Sequence, residues 1–137
     1  MLERSLDVAE TKGVENLRRG YKAFADNDID TLTEVIPENA VWHIGGRNQT
    51  SGDYNGREAI FGYFMKLAEV TGGTFKADLQ HVVGDDNYVV ALQRTSCTVN
   101  GKSLDSFDVL VDRMEGDDAV ETWVWSQKQY EFDEIIG

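Results

Sequence analysis

Residues 60–83 read IFGYFMKLAEVTGGTFKADLQHVV, and the period of the apolar side chains changes partway through. Ile60, Phe61, Phe64, Leu67 and Ala68 recur at three- and four-residue steps, the spacing of one helical face. Beyond Gly72-Gly73, the residues Phe75, Ala77, Leu79, His81 and Val83 fall on every second position, the spacing of one strand face. Paired glycines stop a helix readily because they reach left-handed backbone angles without strain. The chain is therefore chiefly helical before this point and built of strands after it.

Working back, Val14, Leu17, Tyr21 and Phe24 predict an amphipathic helix over about Thr11 to Ala25. The DNDID stretch supplies turn and cap residues, with Asp28 or Asp30 able to cap a short second helix carrying Ile29, Leu32, Val35 and Ile36. Pro37, the only proline, ends it. AVWHIGG, residues 40–46, reads as a strand, GGRNQTSGDYNG as a long polar loop, and a third helix is expected to start near Arg57. Working forward, strands are expected over Thr74 to Val83, Tyr88 to Val99, Ser103 to Met114 and Ala119 to Ser126. GDDN, NGK and EGDD mark the turns between them. Helices followed by an antiparallel meander imply one α+β domain over residues 1–137, three amino-terminal helices covering a bent sheet. A bent sheet has a concave side that helices only partly fill, and the space left is a pocket.

The composition narrows the partners. With 41% apolar residues in a chain of 137, one real core is expected. A formal charge of −12 repels phosphate backbones and anionic membrane surfaces, so neither nucleic acid nor a membrane is an expected partner. Cys97 is the single cysteine, which excludes an internal disulfide, and two histidines without a close carboxylate motif make no metal site. MLERSLDVAETKG carries charge throughout and lacks the apolar centre of a signal peptide, which makes the cytoplasm the expected location.

Three strings in this order, LRRGYKAFADNDIDTLTEVIPENAVWHIGG, YNGREAIFGYFMKLAEVTGGTF and SFDVLVDRMEGDDAVETWVW, resemble the nuclear transport factor 2-like superfamily over nearly the whole chain. The likeness is to its SnoaL-like polyketide cyclase and ketosteroid isomerase-related branch. It implies a cone-shaped, cystatin-like fold, a pocket between sheet and helices for a small hydrophobic or polyketide-like ligand, and frequently a homodimer formed through the outer sheet face. If one face of the Ser103–Met114 strand points inward, Phe107, Val109 and Val111 give that outer face an apolar surface of its own. The superfamily holds isomerases, cyclases, dehydratases and members that only bind, so the resemblance does not choose a reaction.

Ketosteroid isomerase uses an aspartate base with a tyrosine and a protonated aspartic acid as oxyanion donors. Matched on NDID, its tyrosine position falls on Gly20, with Tyr21 turned about 100° around the helix. The base position falls on Ile44 and the acid position near Leu110, so that mechanism does not carry over. Asp108 and Asp112 remain, sharing a strand face with Leu110, and each is a candidate general base if burial raises its pKa. Against this, Asp108 at the rim would bond a backbone amide or Arg94, and Asp112 near the hairpin would meet solvent.

If the protein is an enzyme, the expectation is proton transfer without an organic cofactor, with Asp108 as base and His43 or Tyr21 orienting the ligand. Otherwise it is a binding or interaction module. Strand alternation sends Trp42 and His43 to opposite sides, and the alignment places Trp42 inward. Trp42, Tyr21, Phe24, Tyr63 and Phe64 are expected to wall the pocket, with Leu110, Asp112 and Trp123 as further ligand contacts. Which of Trp123 and Val124 faces inward is open at this stage. His81, on the apolar parity of its strand, is expected to be a hydrogen-bonded core residue.

Overall fold

A computed structural model describes residues 10–137. The reading of the amino terminus as lacking a signal-peptide centre lies largely outside these residues. Helix α1 spans Lys12–Asp26, where Thr11 accepts a hydrogen bond from the Val14 amide and Asn27 closes the helix in the left-handed region at φ 54°. Helix α2 spans Ile29–Val35, and Asp28 rather than Asp30 is its cap. Strands β1 and β2 follow at Val41–Ile44 and Gly52–Asn55, then helix α3 at Arg57–Val70. Strands β3 to β6 occupy Lys76–Gly84, Tyr88–Val99, Lys102–Glu115 and Asp118–Ser126, and helix α4 spans Gln129–Ile136.

The six strands form one curved sheet in the order β2-β1-β6-β5-β4-β3. The meander β3 to β6 is antiparallel as the sequence predicts, but β1 lies parallel to β6. A purely antiparallel sheet was the expectation. The parallel junction arises because α3 carries the chain from the β1–β2 hairpin to the far edge of the sheet. Strand β2 corrects a second expectation, since it lies inside the segment read as loop. Gly52, Asp53 and Asn55 are poor strand formers, and it is pairing with β1 that makes them a strand.

Strand β3 corrects a third. Its pairing with β4 shifts between Leu79 and His81, so an extra residue enters one strand and the faces exchange. Phe75, Ala77 and Leu79 face the helices, then Val82 does, while His81 and Val83 are exposed. His81 is therefore a surface residue, not part of the core.

Two apolar clusters hold the layers together. Ala23, Leu32, Ile36, Ala40 and Ile60 form one, with Trp42, Tyr54, Phe61 and Phe64 packed against it. Val14, Val89 and Met114 form the other, with Leu17, Val82 and Ala119. Helix α4 was not expected. Asp133 accepts from the Arg47 amide and from the side chains of Asn48 and Gln129, and Gln49 donates to the Ile136 carbonyl, so the polar loop after β1 is tied to this helix. Gly46 sits at φ 91°, and a Cβ there would run into Gln129 and Asp133. Gly46→Ala is expected to lower stability by about 2 kcal/mol, from backbone strain and the loss of the α4 contacts, measured by urea unfolding.

Candidate functional site

Between the two apolar clusters the sheet and helices α1, α2 and α3 leave a cavity of about 110 Å³. One water needs roughly 10–15 Å³ on this measure, so the space is several times the size of a single solvent molecule. Aromatic side chains wall it. Phe24 meets Phe64 edge-on at 5.1 Å, Phe64 meets Trp42 at 5.4 Å, and Tyr63 lies 6.3 Å from Trp42. Leu110, Val124 and Phe75 contribute apolar surface from the sheet.

Tyr21, Phe24, Trp42, Tyr63, Phe64, Leu110 and Asp112 thus border one cavity, where the sequence placed them. Three other expected site residues do not. His43 lies on the outer face of β1, its Nδ1 2.7 Å from Asp53 and its Nε2 2.6 Å from Glu121. These two carboxylates raise its pKa, and its ring stacks on Trp123 at 5.5 Å. Trp123 is on that outer face because Thr122 and Val124 take the inward positions of β6. Both placements follow from strand alternation once Trp42 is inside.

Asp108 is the third. It is buried at 7% exposure but sits behind the cavity wall, with Thr95 donating to one oxygen at 2.6 Å and Ser106 to the other at 2.9 Å. Neither a backbone amide nor Arg94 holds it, since Arg94 pairs with Asp105. This carboxylate does not border the cavity.

Asp112 does. It is 5% exposed, and the β5–β6 register sets it opposite Thr122, whose hydroxyl donates to Oδ1 at 2.6 Å. Among the described residues Oδ2 has no protein partner, and no fully buried side-chain polar atom lacks one, so Oδ2 opens on the cavity. Burial raises the Asp112 pKa to about 6, against the opposing pull of the Thr122 hydrogen bond. The Tyr63 hydroxyl likewise has no protein partner among the described residues, and burial raises its pKa too.

Gln93 and Thr122 were not anticipated. Tyr21 donates to the Gln93 carbonyl oxygen at 2.5 Å, and Gln93 donates onward to Thr95 at 2.9 Å. Their signal in the sequence is weak. Each is a polar residue on the inward parity of a strand, and only the cross-strand register shows what it bonds.

Residues 17–129 match the sequence model of the SnoaL-like domain, and the chain belongs to that family. It is similar to Bal32a, from a soil-derived mobile gene cassette, with 39% identity over 92% of this chain and 97% of that one, at a TM-score of 0.87. A protein of unknown function with a cystatin-like fold from Xanthomonas campestris shares 25% identity over 93% and 99% of the two chains, at 0.85. A putative SnoaL-like polyketide cyclase from Jannaschia has the same fold, with 17% identity over 96% and 97%, at 0.77.

The Asp112 shift makes stability depend on pH. The folded carboxyl holds its proton up to about pH 6, whereas the unfolded one loses it near 3.8. Below about pH 4 both states are protonated and nothing is lost, and stability falls as pH rises from about 4 to 6. Asp112→Asn removes this cost. The variant is expected to be more stable than the parent by about 3 kcal/mol at about pH 8 and nearly equal at about pH 4, measured by urea unfolding across that range.

Proposed function

We propose that this protein binds a small, largely apolar organic compound in the cavity and that Asp112 moves a proton on it, as in isomerisation, cyclisation or dehydration. The observation that carries this reading is one carboxyl oxygen, free of protein partners among the described residues, facing an aromatic-walled space, in a group with a pKa of about 6. A base poised just below neutral pH is ionised when needed yet strong enough to accept a proton from carbon or oxygen. Trp42, Phe24 and Phe64 enclose the ligand, and Thr122 holds the carboxyl in place.

A second copy of the chain is proposed to cover the outer sheet face. Phe107 and Trp125 are 46% and 51% exposed there, and Val90, Val111 and Trp123 run side by side across three strands between the sheet edges. An exposed apolar patch in the middle of a sheet face calls for a cover, and a second copy supplies a matching apolar face, its contact offsetting the repulsion between two acidic chains. Sedimentation is expected to give twice the chain mass, and Phe107→Glu to give a monomer.

The catalytic reading is tested by screening aromatic polyketides, terpenoids and steroids through Trp42 fluorescence, then following deuterium uptake by bound compounds in heavy water. Asp112→Asn is expected to keep binding while uptake falls about 100-fold or more. Uptake unchanged in that variant removes Asp112 as the base. Binding with no uptake in the parent protein leaves a ligand-binding module.

A further inference from the structure

Asp108 is buried, engaged at both oxygens, and not used in the proton transfer above. What it controls is direction. An ionised carboxylate only accepts, and a hydroxyl has one proton to give. Thr95 gives its proton to Asp108, so its oxygen is left to accept from the Gln93 amide nitrogen. That turns the Gln93 carbonyl oxygen toward Tyr21, and Tyr21 must donate to it. The distances of 2.6 and 2.5 Å at the two ends are those of strong, well-directed O–H donors.

We propose that Tyr21 and Asp112 present acceptors to this end of the cavity, beside the Tyr63 hydroxyl as a donor, and that it takes a non-anionic ligand bearing a hydroxyl, a phenol, enol or alcohol on an apolar frame, which donates to Tyr21 or Asp112. Tyr21 has spent its proton on Gln93 and shows the cavity only lone pairs. Thr122 has spent its own on Asp112, whose free Oδ2 is a second acceptor above about pH 6. Asp112 lies near enough that its charge, with that of Asp108, helps burial keep the Tyr21 phenol protonated. Among the described residues no lysine, arginine or histidine lines the cavity to balance an anion. A carboxylate or phosphate would be desolvated beside Asp112 with nothing to offset the repulsion. Asp108 is in this sense a positioning residue: it sets hydrogen-bond polarity two side chains away without touching the ligand.

The inference rests on the cavity being a ligand site, and three congeners separate the two ideas. A naphthol, its methyl ether and the corresponding naphthoate are titrated at about pH 8 by calorimetry. The naphthol is expected to bind about tenfold tighter than either other compound. Tyr21→Phe is expected to weaken the naphthol about fivefold and leave the ether within about twofold, because it removes an acceptor. Gln93→Leu frees the Tyr21 proton, so the ether is expected to gain affinity. If Tyr21→Phe weakens the ether instead, or neither compound, Tyr21 is not an acceptor and the inference falls. Naphthoate binding as tightly as the naphthol also overturns it. If none of the three binds, the ligand site itself is refuted, and this inference with it.

Discussion

The pleat of strand β5 is the constraint on which the rest of this molecule depends. Its inward row runs Leu104, Ser106, Asp108, Leu110, Asp112 and Met114, every one buried, while Phe107, Val109 and Val111 face out. A strand with period two cannot move one of these residues without moving all of them. Two carboxyl groups are thereby carried into the interior, where an unpartnered charge is costly. The neighbouring strands answer each in turn, Thr95 on β4 and Ser106 on β5 itself for Asp108, Thr122 on β6 for Asp112.

The two answers differ, and the difference is what makes a site. Asp108 receives two hydroxyl protons and becomes a fixed point from which Gln93 and Tyr21 take their orientation. Asp112 receives one and keeps an oxygen open to the cavity, so desolvation dominates its titration. Protonating it relieves the folded state, and so its folded pKa lies above its unfolded one. The same pleat that buries the acids puts Phe107 and, across the ladder, Trp125 on the outside. The buried acids and the exposed apolar patch are therefore two faces of one strand pattern.

Much of this was legible in residue order. The helix periods, the stop at Gly72-Gly73 and the turns of the meander are all local, and each is found where the spacing places it, while the cap of α2 falls on Asp28, one of the two residues the spacing offered. Phe24 and Phe64 in the aromatic wall were legible for the same reason, since their face is set by their own helix, whereas alternation left Trp42 and His43 open and the family resemblance placed Trp42 inward. Reading failed where faces are decided by a neighbour. The shift in β3 pairing turned His81 outward, β2 formed on β1 from residues with little strand preference, and α4 is held by the loop it caps. Choosing between Asp108 and Asp112 needed the β4–β5 and β5–β6 registers, because both share one face of one strand.

By itself, then, the order of residues determined helices α1 to α3, strand β1 and the strands of the meander, most of the side chains that share a face, and that the sheet would leave room beneath its helices. Periodicity and turn chemistry act over a few residues and need no partner. Only the tertiary structure decided that β1 joins β6 in parallel, that Trp123 looks outward, and that Asp112 keeps a free oxygen where Asp108 does not. Those outcomes depend on hydroxyls and amides brought together from strands far apart in the chain, and no local pattern encodes which of them arrives within bonding distance.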